Sequence, residues 1–178
     1  NYFGVKVSEQ QRREREAAGQ QPVPPIVVVS RSLDFDTDTQ LFTDTAVAPV
    51  FTVPNAALDG GDIAARADAI RRAGGEILPV GGDSLAAVVG ALRERGHARI
   101  VCEGGPSVNT QLVEQDLVDV FHYTISPLAV QPSAVRLFGE SDETCERRFE
   151  LEAVHRTSDS LLFCRYRSGR DSSPQRTR

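Results

Sequence analysis

Short apolar runs alternate with amphipathic stretches from residue 26 onward. Runs at 26–29, 50–53 and 76–80 are mainly apolar and are bounded by Gly, Pro or polar residues, which predicts short buried strands. Stretches 62–73 and 84–95 place apolar residues at helical spacing and are followed by glycine, which predicts helices between and after the strands. This alternation predicts a mostly parallel sheet with right-handed crossovers.

The two ends of the chain follow different patterns. Residues 8–18 are rich in Arg and Glu and predict an exposed helix. Residues 34–44 are polar and turn-rich, and no regular element is predicted there. Residues 118–130 form a strand-like run interrupted by a proline, while 149–155 and 161–166 predict an antiparallel hairpin. The predicted fold class is therefore α/β, parallel first and antiparallel at its end.

The segment 99–110 carries the most distinctive pattern in the chain. Its apolar run 100–102 is typical of a strand buried on both faces. Gly104 and Gly105 follow, and a proline then opens a stretch with helical spacing. A helix that begins after a bare glycine turn exposes its first N–H groups, which favours an anion site. A purely structural turn is equally typical of this pattern. Glu103 disfavours a phosphate at its own position and instead favours a donor-rich part of a ligand.

Composition narrows the class of protein. The chain has 178 residues, 40% of them hydrophobic and 25% charged, which suits one domain over 1–167 with a frayed polar tail at 168–178. A net charge of −5 disfavours a nucleic-acid partner. No apolar run approaches the length of a membrane span. Three widely spaced cysteines favour reduced thiols, and hence a cytoplasmic protein.

Polar residues follow the first predicted strand. Ser30, Arg31 and Ser32 combine two hydroxyls with a guanidinium, a set that suits a phosphomonoester, although a solvated turn is the alternative. In open α/β sheets, ligands lie beyond the carboxyl ends of the strands. Together with the turn at Gly104 and Gly105, this set predicts a dinucleotide with a pyrophosphate and a separate distal phosphate.

The remaining reactive side chains predict no metal site and no nucleophile. The three histidines are far apart and lack the spacing of metal ligands. Cys102 lies in the apolar run and is predicted to be a small core residue rather than a reactive thiol.

Three segments resemble one enzyme family. They are Val101–Ser107, Leu117–Asp119 and Thr124–Leu128, and they are similar to the pyrimidine reductase of riboflavin biosynthesis, which also occurs as the C-terminal domain of a bifunctional deaminase–reductase. The resemblance extends from about Tyr2 to Tyr166. It implies a dihydrofolate reductase-like fold, a cytoplasmic homodimer, and NADPH-dependent reduction of a ribosylamino-pyrimidine 5′-phosphate to its ribitylamino form.

The resemblance also assigns the site residues by position. Glu103 would hydrogen-bond the amino-pyrimidine of the substrate. The Ser30–Ser32 set would bind the adenosine 2′-phosphate, and the glycine turn would bind the diphosphate. The cofactor-binding residues implied in this way are Ser30, Arg31, Ser32, Thr52, Gly104, Gly105, Pro106, Ser107 and Val108. No residue is assigned a catalytic or metal role, because NADPH supplies the hydride and the protein supplies position and polarity.

Departures from the family pattern leave two alternatives open. The family has a first strand, a substrate loop and a glycine turn ahead of the point where this chain begins, so the resemblance predicts missing first strands and little or no turnover. Val120 replaces an acidic residue, and 131–133 replace a glycine pair. One alternative is a non-catalytic remnant that acts as a dimerisation or interaction domain. The other, from fold analogy alone, is a reductase of a folate-like substrate.

Overall fold

The chain forms two compact units, each with its own three-stranded sheet. The computed structural model describes residue 5 and residues 7–129, 136–140 and 145–169. The units are Asn1–Ala98 and Arg99–Arg178. The predicted single domain over 1–167 stays a prediction, and most of the predicted tail lies outside the described residues.

The described helices and strands follow in chain order. The helices are α1 (Glu9–Ala17), α2 (Gln40–Thr43), α3 (Gly61–Arg72), α4 (Leu85–Glu94) and α5 (Pro106–Glu114), with a 3-10 turn at Asn55–Leu58. The strands are β1 (Val27–Val29), β2 (Val50–Pro54), β3 (Glu76–Val80), β4 (Val120–Ile125), β5 (Phe149–Arg156) and β6 (Leu162–Ser168). No described helix is long and apolar enough to cross a membrane.

The first unit is a parallel sheet, with strand order β1-β2-β3, covered on both faces. Successive side chains of a strand point to opposite faces, so β2 and β3 contribute to two separate cores. Phe51 and Ile77 pack with Ile70 of α3 in one cluster. Leu78 packs with Val88 of α4 in the other. This arrangement confirms the predicted α/β class and its parallel first part.

Local signals place the helices of this unit. The predicted exposed helix is confirmed as α1, and Ser8 and Gln11 form a reciprocal capping box at its start. The predictions for α3 and α4 are also confirmed. Gly74 and Gly96 follow these helices with φ of +90° and +86°, a left-handed conformation that glycine adopts without strain.

Two predictions in the first unit were incomplete. The strand at 26–29 forms, but Val29 is 47% exposed because β1 is an edge strand of the described sheet. A four-residue helix, α2, lies where no element was predicted, and it buries Leu41 in the core. One helical turn is too short to produce a periodic signal, and it forms here because a tertiary contact stabilises it.

The prediction of a buried strand at 100–102 was wrong. These residues have no regular secondary structure, and Val101 is 85% exposed. Cys102, predicted to be a core residue, is exposed as well. A segment forms a strand only when a neighbouring strand accepts and donates its backbone hydrogen bonds. None of the described strands pairs with this segment, so its apolar residues are not enough to make it a strand. The helix predicted after it is confirmed as α5, with Pro106 in its first turn.

The second unit contains an antiparallel sheet with strand order β4-β6-β5. The predicted hairpin is confirmed by the pairing of β5 with β6. In its turn, the N–H of Thr157 donates to the carbonyl of Leu161 at 3.0 Å, and Ser160 adopts a φ of +68°. The strand-like run at 118–130 forms β4 over Val120–Ile125, and its last residue lies outside the described ones.

Candidate functional site

A fixed turn follows β1 at the carboxyl edge of the parallel sheet. The N–H of Ser30 donates to the carbonyl of Thr52 at 3.1 Å, and the Ser30 hydroxyl accepts from the N–H of Leu33 at 3.0 Å. Leu33 is buried and has a φ of 51°, an uncommon conformation for a branched side chain. Its side chain anchors the turn in the core, so Arg31 and Ser32 are presented to solvent. We call residues 30–33 the β1 turn.

Arg31 forms an ion pair across the end of the sheet. Its Nε donates to Oδ1 of Asp83 at 2.7 Å, and Asp83 lies in the turn between β3 and α4. Because β2 lies between β1 and β3, the pair crosses about 10 Å, or two strand spacings. The two side chains are 70% and 60% exposed, so water screens their attraction.

A second arginine lies beside the β1 turn. Arg66 of α3 donates through Nη1 to the carbonyl of Ser32 at 3.0 Å. Its Nη2 lies 3.9 Å from Oδ1 of Asp34. Arg31 and Arg66 therefore each have a carboxylate neighbour, and the four charges sum to zero around this turn.

Thr52 lies inside the sheet rather than at its surface. The residue is 1% exposed, and its hydroxyl is 3.5 Å from the carbonyl of Val28, to which it donates. The structure thus gives this side chain a role within the parallel sheet. Its assignment to the adenine end of a cofactor stays a prediction, and the buried hydroxyl does not support it.

The N-terminus of α5 is open. Gly105 is the N-cap residue, and no side chain within the described part of the chain caps the helix. Among the described residues, no acceptor pairs with the N–H of Ser107 or Val108. A Cβ on Gly105 would meet nothing within 4 Å, whereas a Cβ on Gly104 would lie 2.9 Å from Val108 Cβ. The first glycine is therefore required by packing, and the second places no side chain of its own at the helix start.

A loop from later in the chain lies against this helix start. The N–H of Gly139 donates to the carbonyl of Pro106 at 3.1 Å and to the hydroxyl of Thr110 at 2.9 Å. The Asn109 side chain donates to the carbonyl of Leu137 at 3.0 Å. A Cβ on Gly139 would lie 3.3 Å from the Ser107 nitrogen, so glycine keeps the space beside that N–H clear. We call residues 104–108 together with Gly139 the α5 cradle.

Glu103 and Cys102 precede the cradle in an irregular, exposed segment. The sulfur of Cys102 accepts from the N–H of Gly104 at 3.3 Å and so helps to shape the turn. The Glu103 carboxylate is exposed and is therefore available to a ligand. Its predicted contact with a substrate stays a prediction.

One carboxylate with a shifted pKa lies on the antiparallel sheet. Glu152 accepts a hydrogen bond from Nη2 of Arg167 at 2.8 Å, and its Oε2 lies 2.8 Å from Nε of Arg165 in an ion pair. The hydrogen bond from Arg167, followed by the charge of Arg165, lowers the pKa of Glu152 below its ordinary value of 4.5. This ion-pair cluster is exposed and stabilises the pairing of β5 with β6. Among the residues that the structure describes, no group of three His, Cys, Asp or Glu could hold a metal ion.

Eight of the ten predicted site residues thus fall into two groups in different units, while Thr52 lies inside the parallel sheet and Glu103 lies just before the α5 cradle. The β1 turn contains Ser30, Arg31 and Ser32, and the α5 cradle contains the five residues from Gly104 to Val108. Sequence reasoning missed Asp83, Arg66 and Gly139. Asp83 follows a glycine pair after a predicted strand, which was a usable signal. Nothing in the local sequence marked Arg66 or Gly139.

Comparison with known proteins identifies structural relatives. A family model described as RibD C-terminal domain matches residues 5–163. A pyrimidine reductase-like protein from Corynebacterium diphtheriae is similar to this chain, with 29% identity and a TM-score of 0.80 over 95% of this chain and 71% of that one. A search of curated proteins finds no match.

Two forms of RibD from Acinetobacter baumannii share the fold at lower identity. Form 1 has 15% identity and a TM-score of 0.63 over 83% of this chain, which spans 38% of that one. Form 2 has 14% identity and a TM-score of 0.53 over 92% of this chain, which spans 52% of that one. At these identities the likeness concerns the fold alone.

Proposed function

Because the chain belongs to the RibD C-terminal domain family, we propose that it is an NADPH-dependent reductase of riboflavin biosynthesis. Its reaction would convert a ribosylamino-pyrimidine 5′-phosphate to the ribitylamino form. The similarity to a pyrimidine reductase-like protein supports a reductase. The β1 turn and the α5 cradle support NADPH as the cofactor, and Glu103 supports a pyrimidine substrate.

The α5 cradle is the observation that carries the proposal. Two N–H groups, of Ser107 and Val108, are without an acceptor among the described residues at the positive end of a nine-residue helix. Glycines at positions 104, 105 and 139 keep side chains away from them. These donors suit the diphosphate of a dinucleotide, because an anion at a helix N-terminus gains hydrogen bonds and a favourable dipole together.

The β1 turn, taken by itself, suits a phosphomonoester such as the 2′-phosphate of NADPH. Only the Nε of Arg31 is bonded to a described residue, so the two Nη groups remain for a bidentate contact with a 2′-phosphate. The hydroxyl of Ser32 is exposed beside it. Arg31 would therefore favour NADPH over NADH, since NADH lacks the 2′-phosphate.

This chain's residues would bind and orient rather than react covalently. NADPH supplies the hydride when it is bound. Glu103 would accept hydrogen bonds from the amino group and ring N–H of the pyrimidine, because an ionised carboxylate offers only acceptors. Such a contact fixes the substrate relative to the α5 cradle, which follows directly in the chain, and effective positioning lowers the barrier.

Titration of the protein with NADPH and NADH, followed by cofactor fluorescence, tests the proposal. Arg31→Ala should weaken NADPH binding about tenfold to a hundredfold and leave NADH binding nearly unchanged, because a charge-assisted hydrogen bond contributes about 1.5–3 kcal/mol. Gly139→Ala should weaken both cofactors alike, because its Cβ would lie 3.3 Å from the Ser107 nitrogen. The two variants thus separate the distal phosphate from the diphosphate.

Two results would overturn the proposal. Absence of saturable binding of either nucleotide to the wild-type protein would remove the cofactor assignment. Equal losses of NADPH and NADH affinity in Arg31→Ala would remove the 2′-phosphate role of that residue.

A third variant tests the substrate contact. Glu103→Gln, assayed with the pyrimidine substrate, should raise KM for the substrate while leaving the NADPH affinity unchanged.

One observation favours a second candidate, a homodimer that forms through the antiparallel sheet. Strand register places Tyr123 and Val154 on either side of Cys164 on one face, and Leu151 beside Tyr166. Tyr123, Leu151 and Val154 are 43 to 55% exposed. An apolar patch is complementary to itself in a second copy related by a two-fold axis.

Sedimentation of the protein tests this homodimer. The wild-type chain should sediment as a dimer, and Val154→Glu should shift it towards the monomer. The matched control is Glu150→Lys on the opposite face of the same strand, which should leave the dimer intact. A wild-type monomer at micromolar concentration would exclude this candidate.

A further inference from the structure

The ion pair at the end of the parallel sheet bears on cofactor choice. Arg31 is the residue that we assign to the 2′-phosphate, and its Nε is bonded to Asp83 at 2.7 Å. The two residues are 52 positions apart in the chain and come from the loops after β1 and after β3. The carboxylate therefore lies at the same strand edge as the guanidinium that would bind a dianion.

We infer that Asp83 is a specificity-determining residue, which lowers the preference of the β1 turn for NADPH over NADH; this rests on the proposed function. A phosphate bound on the Nη groups of Arg31 would bring about two negative charges near a carboxylate that already neutralises the guanidinium. The phosphate and the Asp83 carboxylate are both negative and therefore repel each other. A ribose 2′-hydroxyl, in contrast, can donate to a carboxylate, so Asp83 penalises only the phosphorylated cofactor.

Asp83 has two opposing effects on the binding of a phosphate at Arg31. Its hydrogen bond orients Arg31, and this would help a phosphate. An exposed ion pair, however, contributes only about 0–1 kcal/mol, because both side chains are well hydrated. Water screens the repulsion as well, but the repulsion acts on about two charges of the phosphate, whereas the ion pair involves one, so we expect repulsion to exceed the benefit of orientation.

The substitution Asp83→Asn separates the charge of this residue from its orienting hydrogen bond. Asp83→Asn keeps an oxygen that can accept from Arg31 Nε but removes the charge. We expect NADPH affinity to rise about threefold to tenfold with NADH affinity unchanged or slightly weaker. The same rise is expected with 2′,5′-ADP against 5′-AMP, which confines the effect to the adenosine end. The gain should shrink at high ionic strength, since the Debye length is about 10 Å at 0.1 M salt.

The chain offers a matched control. Arg71 donates to Asp68 at 2.8 Å, and this exposed pair lies within the helix α3 of the same unit. Asp68→Asn removes the same charge and disrupts an ion pair of similar length. It should leave the ratio of NADPH to NADH affinity at the wild-type value. Arg31→Ala in the Asp83→Asn background should abolish the gain, because the phosphate then has no guanidinium.

The outcomes distinguish this inference from the function on which it rests. If the wild-type protein binds neither nucleotide saturably, the proposed function fails and the inference fails with it. If the wild-type protein binds but Asp83→Asn keeps the wild-type ratio, the inference alone is overturned. It is overturned in the same way if Asp83→Asn weakens NADPH, or if Asp68→Asn shifts the ratio equally. A raised ratio in Asp83→Asn that falls with salt supports the inference.

Discussion

Gly104→Ala is the substitution that tests the α5 cradle most directly. The added Cβ would lie 2.9 Å from both Cβ and Cγ1 of Val108 and 3.2 Å from the sulfur of Cys102. Carbon atoms normally approach to about 3.5–4.0 Å, so two contacts would be short by at least about 0.6 Å. The turn must then move away from α5. Overpacking of this kind costs about 1–3 kcal/mol, and we expect about 2 kcal/mol here.

Urea denaturation, followed by circular dichroism, measures this loss in the free energy of unfolding. The same variant should bind NADPH more weakly, because the shift displaces the N–H groups of Ser107 and Val108. Gly105→Ala is the matched control, since its Cβ would meet nothing within 4 Å and its φ of −74° suits any residue. That variant should lose less than about 1 kcal/mol, because Ala is only a poorer N-cap than Gly. Equal losses in the two variants would refute the steric argument.

Two further predictions concern stability. Phe51→Ala should lower the free energy of unfolding, measured in urea, by about 3–5 kcal/mol. The reason is that Phe51 is fully buried and that its ring centroid lies 5.1 and 5.5 Å from those of Phe35 and Phe42. Phe138 is exposed, and a loss in Phe51→Ala as small as that in Phe138→Ala would contradict this prediction. The pKa of Glu152 is lowered in the folded protein by Arg167 and Arg165, so its carboxylate stabilises the fold above its ordinary pKa of 4.5 and loses that effect as the pH falls through the folded value. Thermal melts should therefore show the wild type losing its advantage over Glu152→Gln in acid, and a pH-independent difference would exclude this linkage.

Local sequence was enough to predict an element of structure wherever the interaction that fixes the element joins residues close in the chain. The capping box of α1 joins Ser8 to Gln11, three residues along the chain. The glycines at 74 and 96 end their helices through their own backbone freedom. The β5–β6 hairpin closes over a short turn. Such contacts lie within one element or one turn, so periodicity and residue type predict them without knowledge of the rest of the chain.

Resemblance and pattern together predicted the two residue groups of the candidate site, and the roles of these residues stay predictions. The helix start at α5 and the polar turn after β1 both follow from residues adjacent in the sequence, so glycine, proline and hydroxyl positions marked them. Family membership over residues 5–163 then supported the α/β class and the reductase proposal.

What tertiary structure alone decided depends on partners far apart in the chain. Asp83 meets Arg31 across the end of β2, and Gly139 lies against a helix that begins more than 30 residues earlier. The exposure of Val101 and the burial of Thr52 were not predictable from hydropathy, because a segment joins a sheet only where a neighbouring strand supplies its hydrogen bonds. Local periodicity can be read from a single sequence, whereas the pairing of distant segments depends on packing contacts that only the folded structure shows.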